Sequence, residues 1–315
     1  MASDSLVAET ATRIFGDLCD PQTVVRAADE RWKAPAWSAL EEAGLTLAWV
    51  PEELGGAGAG MADGFAVLRE SGRYAASLPV AETLLAGWLL AQAGISSPSG
   101  AMACGPAREA DRLTLGKTGT LSGRLRAVAF AKDAQHLAVL AQREGGGAVI
   151  ALVEARAARI ADGASIAGDA LNQIAFDGVR PLSVEDVPPG LDAEALALMG
   201  AAVRAMQMAG ALEAILGLTV AYANERVAFE RPIAKFQAVQ HNLARLAGET
   251  AAAIAAAGSA ADAIANADTF DEGVFLEAAA AKIRVGEAAG EGAGIAHQVM
   301  GAIGFTREHT LQKGR

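Results

Sequence analysis

The chain has 315 residues, 52% hydrophobic but only 5% aromatic, with a formal net charge of −11. That length can bury a sizeable core spread over two or three domains, and the Ala-rich composition favours close-packed helices. The acidic balance argues against a nucleic-acid partner, and two cysteines, Cys19 and Cys104, rule out a disulfide framework or a Cys-based metal site.

Met1 to Ala11 carries Asp4 and Glu9 and lacks a basic-then-apolar leader. The most apolar window, Val80 to Ile95, is too short for a bilayer and contains Glu82. A cytoplasmic protein with no membrane partner is expected. The first third reads as helices broken by a Gly-rich loop, Val50-Pro51-Glu52-Glu53-Leu54-Gly55-Gly56-Ala57-Gly58, with periodicity resuming at Phe65, Leu68 and Arg69. The loop fits neither Gly-x-Gly-x-x-Gly nor a P-loop, so its glycines are expected to turn the backbone rather than cradle phosphate.

From Gly100 the texture changes to short β-like runs: Leu113–Leu115, Thr120–Gly123, Ala127–Phe130, His136–Ala141, Ala148–Val153 and Gln173–Phe176. Strands at this spacing predict a small barrel or sandwich. Pro181 to Pro189 reads as a linker, and from Leu191 the chain reads helical again. Two Ala-rich helices, His241–Ala265 and Gly273–Gly301, are expected to form part of an antiparallel bundle, broken at Gly258 and over Asp268 to Gly273.

Classical catalytic sets are missing. His136, His241, His297 and His309 form no ligand pattern, and no Gly-x-Ser-x-Gly elbow occurs. The densest chemistry lies in Asn224 to Gln240, NERVAFERPIAKFQAVQ. Leu212, Leu216, Val220 and Ala223 lead into it at helical spacing, Pro232 is expected to stop that helix, and a second is expected to start near Phe236. Arg226 then lies at a helix C-terminus, where a cation also complements the helix dipole, and Arg231 in the turn.

The pattern R-x-x-F-x-R-P-I-x-x-F-Q-x-x-Q-H closely resembles a signature of the acyl-CoA dehydrogenases. V-P-E-E-L-G-G-A-G with R-E-S-G-R-Y and S-L-P-V resembles the family's N-terminal domain. L-S-G-R-L-R-A-V-A-F-A-K-D-A-Q-H-L-A-V-L-A, with L-N-Q-I-A-F-D-G-V, resembles its middle β-domain, and H-Q-V-M-G-A-I-G-F, followed by T-R-E-H, resembles its Q-x-x-G-G-x-G-F string with Ala302 at the second glycine. The resemblance covers nearly the whole chain. It implies a mainly α fold with a middle β-domain: an N-terminal helical domain over 1–98, a β-barrel domain over 99–188 and a C-terminal four-helix bundle over 189–315.

It also implies FAD as cofactor, acyl-CoA as substrate, an electron-transfer flavoprotein as redox partner, and homo- or hetero-oligomerisation with another acyl-CoA dehydrogenase subunit. Residue by residue it assigns Arg226 to the flavin pyrophosphate, Phe229 and Gln237 to the adenosine end, and Gln298 and Gly301 to the same dinucleotide, held for a neighbouring subunit. A guanidinium fork suits a diphosphate. For Gly301 and Gly304 a glycine C-cap where helices cross stands as the alternative.

The family's reaction removes an α-proton with a carboxylate. One family position for it falls on Gly200 and the other lies beyond Arg315; Glu194 and Glu213 sit near the first but off it, and a solvated surface role is expected for each. The family's Thr-Glu-Pro-x-x-Gly-Ser loop and its Trp-containing strand have no match between Ala101 and Val128. Glu230 stands where the family has glycine. A variant subunit paired with a catalytically complete partner is therefore expected, with a catalytically inactive assembly subunit as the alternative.

Overall fold

The computed structural model describes residues 5–26, 29–108, 110–306 and 311. Five helices come first: α1 (Leu6–Leu18), α2 (Pro21–Arg26), α3 (Lys33–Glu42), α4 (Met61–Arg73) and α5 (Val80–Gln92). The Ser5 hydroxyl caps α1 by accepting from the Ala8 amide. In the Gly-rich loop before α4 the amides of Gly55, Gly56, Ala57, Gly58 and Ala59 donate to the carbonyls of Glu52, Pro51, Leu47, Val50 and Ala48. Those donors are spent within the loop and are not left to hold a phosphate.

Strands β1 (Met102–Gly105), β2 (Arg112–Leu115), β3 (Leu121–Ala129), β4 (His136–Arg143), β5 (Ala148–Glu154), β6 (Arg159–Ala161), β7 (Leu171–Val179) and β8 (Ser183–Asp186) form one sheet in the order β6-β7-β3-β2-β4-β5-β8, with β1 beside β4. The expected linker over Pro181–Pro189 thus contains strand β8, paired antiparallel with β5. Strands β4 and β5 read as unbroken apolar runs because both faces are covered. Leu137, Val139 and Ala141 join a core inside the curled sheet, while Ala138 and Leu140 join the helical core. A register shift between Leu125 and Val128 bulges β3, with Ala127 at φ 56°, and the chain leaves it at Phe130.

Helices α6 (Ala193–Glu225), α7 (Gln237–Asn266) and α8 (Glu272–Met300) are 33, 30 and 29 residues long. Asp192 and Asp271 cap α6 and α8 by accepting from the amides of Ala195 and Val274. Gly258 does not break α7: a lone glycine is tolerated in a helix whose Ala253, Ala257, Ala260 and Ala261 are buried. α4 lies along α6 and also touches α7, so the N-terminal segment adds a fourth column to the three long helices. By length and composition alone α6 could span a bilayer, but 61% of its most apolar window is buried within the protein.

Glu70 on α4 is 8% exposed, and its Oε2 has no hydrogen-bond partner among the described residues. Burial raises its pKa, opposed by Arg73 at 3.7 Å. A carboxyl whose folded pKa is raised is most favourable to the fold at acid pH and loses that advantage as pH rises through the folded value. Glu70→Gln is therefore expected to raise the thermal unfolding midpoint at about pH 7 and to have little effect near pH 4. A midpoint lowered equally at both values would contradict this.

Candidate functional site

α6 ends at Glu225 with Arg226 as its C-cap, at the helix C-terminus expected from the sequence: the Arg226 amide still donates to the Tyr222 carbonyl, while its φ of −71° and ψ of 116° are extended. A hairpin rather than the proline ends the helix. β9 (Val227–Ala228) and β10 (Arg231–Pro232) pair antiparallel across a two-residue loop, Phe229 at φ 50° and Glu230 at φ 65°. Two left-handed residues in a two-residue hairpin are the geometry that Asn-Gly normally supplies. Arg231 lies in a strand, its guanidinium 4.3 Å over the Phe236 ring, against which Phe229 packs edge-on at 6.1 Å. Phe229 remains 90% exposed.

Glu230→Gly is expected to stabilise the protein by a few tenths to about 1 kcal/mol, because relief of the left-handed strain exceeds the backbone entropy that glycine adds to the unfolded chain. Chemical denaturation measures it; a loss of stability would show that the Glu230 side chain holds the hairpin.

α6 and α8 run parallel, so the C-terminal end of α8 lies beside this hairpin over a shared cluster of Ile215, Ala223, Leu246, Ile295, Val299 and Met300. Arg226, Phe229, Gln237, Gln298 and Gly301 therefore come to one end of the bundle, and all five are exposed. Gly301 caps α8 at φ 65°, and a Cβ there would meet nothing within 4 Å. Conformation, not crowding, demands that glycine. At Gly304 a Cβ would crowd Met300, His297 and Leu311 at 3.1–3.2 Å, a packing role. Arg307 to His309 lie outside the described residues. Arg226 has no salt-bridge partner among the described residues, so its charge is available to a diphosphate. The residues at this end fit the diphosphate and adenosine half of a dinucleotide.

A second feature is a cleft of about 570 Å³ between α4, α6, α8 and the β6–β7 connection, reached also by Phe130 after the β3 bulge. Across it runs a polar chain. The Ser71 hydroxyl accepts from Gln207 Nε2 at 3.1 Å, Gln207 Oε1 accepts from Arg204 Nη1 at 2.6 Å, and Arg204 Nη2 donates to Glu82 Oε1. Ser77 donates to Asp169 nearby, and Asp169 joins Glu82 in holding the Arg204 guanidinium in its protonated form.

The carboxylates weighed from sequence are elsewhere. Glu213 is not a solvated surface group: Arg69 of α4 grips it with two hydrogen bonds of 2.5 and 2.7 Å. Glu194 is exposed in the first turn of α6. Gly200 is half-buried, and Arg204 follows it one turn along the helix. Met199 and Met206 are core, while Met208 lines the cleft. Both thiols are free, and burial pushes them up to about 12, so neither serves as a nucleophile.

Sequence reasoning missed Glu82 and Arg204 as a unit. The signal was present: each is a charge inside an apolar helical run, and such charges are rarely buried unless paired. Nothing in the sequence pointed across the 122-position separation between them.

Family profiles match residues 2–96, described as the acyl-CoA dehydrogenase N-terminal domain, and residues 193–314, described as its C-terminal domain. "Acyl-CoA dehydrogenase IpdE2" of Mycobacterium tuberculosis is 28% identical over 97% of this chain and 87% of its own. "Acyl-CoA dehydrogenase FadE27" of the same organism is 30% identical over 73% of this chain and 67% of its own. Among solved structures, the "Tcur3481-Tcur3483 steroid ACAD G363A variant" superposes with a TM-score of 0.82 at 25% identity, covering 98% of this chain and 90% of that one.

Proposed function

Given that the chain belongs to the acyl-CoA dehydrogenase family, whose members are FAD-dependent oxidoreductases acting on acyl-CoA, we propose that it works as one subunit of a heteromeric dehydrogenase. It would share in the α,β-dehydrogenation of an acyl-CoA thioester with a catalytically complete partner chain. One observation carries this reading. Arg226, Phe229, Gln237, Gln298 and Gly301 stand exposed together at one bundle end, while the α6 position for the base is Gly200. A solved relative whose name joins two chains, Tcur3481 and Tcur3483, supports the pairing.

In this reading Arg226 holds the diphosphate as a permanently charged fork, Phe229 lays an apolar ring against the adenosine, and Gln237 and Gln298 supply amide hydrogen bonds. Bound FAD supplies the hydride acceptor of the reaction. The chain's own residues place no carboxylate at Gly200 for the α-proton, and in this reading a carboxylate of the partner takes it. Electrons would leave through an electron-transfer flavoprotein.

The test is purification of this chain alone and co-expressed with a second acyl-CoA dehydrogenase chain. Flavin absorbance is expected in the co-purified complex. Colourless protein in both preparations would overturn the dehydrogenase reading in favour of an assembly subunit, which the empty Gly200 position also accommodates.

A further inference from the structure

Residues directly opposite one another on neighbouring strands share one face of the sheet, and one such row in the β-domain is built of arginines. Arg112 of β2 stands opposite Arg124 of β3, Arg124 opposite Ala175 of β7, and Ala175 opposite Arg159 of β6. All three arginines therefore project from the same face, and all three are exposed. Leu113, Leu125 and Ile174 alternate with them and turn the other way, into the core inside the sheet. At strand spacings of about 4.8 Å the row is about 14 Å long.

This row is unbalanced. None of the three arginines has a salt-bridge partner among the described residues, whereas Arg126 close by is held by Asp111. Arg112 spends one Nη1 hydrogen on the Asp111 carbonyl, and Asp177, an exposed acid on this face of β7, stands opposite Ser122. Like charges directly opposite in a sheet are destabilising. A shortage of acid does not explain the pair, since the chain has 37 acidic residues against 26 lysines and arginines. Protection of a sheet edge accounts for a charge on β6, which ends the strand order, but not for charges on β2 and β3, which lie within it.

We propose that this sheet face is a docking surface for a carboxylate-rich segment of another protein, with Arg112, Arg124 and Arg159 as its anchors. Charge complementarity carries the assignment, because each guanidinium can take a carboxylate through two parallel hydrogen bonds. About four residues of extended chain, or about nine of helix, span the row. Nucleic acid and anionic membrane fit less well: each extends far beyond three arginines, and the remainder of a chain of net charge −11 repels it. A short acidic segment meets the row alone, since charges elsewhere on the surface are screened within about 8 Å at physiological salt. The proposal is independent of the acyl-CoA reading.

The experiment is fluorescence anisotropy of labelled poly-L-glutamate titrated with the full chain at low salt. The natural chain is expected to bind it. Arg112→Gln/Arg124→Gln/Arg159→Gln is expected to weaken binding at least about threefold, the combined worth of three exposed charge pairs at the low end of their range. A control, Arg31→Gln/Arg245→Gln/Lys282→Gln, removes the same charge from exposed positions elsewhere and is expected to keep most of the affinity. Arg124→Gln alone serves if the triple variant does not fold. It breaks the opposed pair, so it is expected both to weaken binding and to raise the unfolding midpoint of the unbound chain at low salt, a gain that shrinks near 1 M salt, where the screening length is about 3 Å.

Failure of the natural chain to bind poly-L-glutamate would overturn the proposal, as would equal losses in the two triple variants. Tighter binding of a duplex DNA of equal charge would overturn it in favour of a nucleic-acid surface. A lowered midpoint in Arg124→Gln would show that the arginines hold the sheet together and do not serve a partner.

Discussion

Gly210→Ala is expected to lower the stability of the protein by about 2–4 kcal/mol, a loss characteristic of overpacking between rigid elements. The reason lies at the crossing of α4 and α6. A Cβ on Gly210 would run into the carbonyl of Arg69 and the amide of Arg73, and a Cβ on Gly72 into the backbone of Gln207. Each glycine thus faces main chain rather than a movable side chain, and a backbone inside two helices cannot give way without shifting one of them.

The Arg69–Glu213 pair bridges the same two helices, which further fixes their spacing. Gly72 and Gln207 also line the cleft, so the same shift would widen it. Gly217 is the control. It lies on the same helix with nothing within 4 Å of a Cβ, and Gly217→Ala is expected to gain a few tenths to about 1 kcal/mol. Chemical denaturation of the two variants checks the pair of signs; a Gly210→Ala protein as stable as the natural one would show that α4 and α6 do not need this contact.

Arg226→Ala is expected to weaken FAD retention by roughly 10- to 100-fold in the co-purified complex, the worth of a charge-assisted hydrogen bond or two to phosphate. The unfolding midpoint of the flavin-free chain should barely move, because the side chain is exposed and has no salt-bridge partner among the described residues. The two readouts separate cofactor holding from helix capping. If flavin occupancy is unchanged and the midpoint falls, Arg226 acts only as a cation at the C-terminus of α6. Arg226→Lys sharpens the comparison, since it keeps the charge and loses the fork.

Much of the fold was legible because its signals are local. Apolar periodicity carries α6, α7 and α8 to within a few residues of their ends. Short apolar runs, unbroken in β4 and β5, mark the central strands. The elements that escaped notice are short or masked by composition: β1 and β6 have four and three residues, and β8 lies in a Pro- and acid-containing stretch that reads as linker. Strand β8 exists because β5 offers it a free edge, and that partner is invisible in the segment's own residues.

The candidate site divides in the same way. Residues Asn224 to Gln240 stood out by composition alone, and Arg226 does end α6, but Arg231, expected in a turn, lies in a strand of a hairpin that turns through Phe229 and Glu230. Neither residue favours positive φ, so no turn propensity could have located that hairpin. Glu82 and Arg204 are further removed still, each an isolated charge within an apolar run.

The sequence by itself determined the order of helical and sheet segments and the cluster from which the family resemblance starts. Only the tertiary structure decided that Gly72 and Gly210 meet, that Gln298 and Gly301 arrive beside Arg226, and that Glu82 closes on Arg204 in a cleft. The physical reason is separation along the chain. Propensity and periodicity report what a residue does to its near neighbours, whereas a buried ion pair, a helix crossing and a shared bundle end are set by packing between elements tens to more than a hundred residues apart.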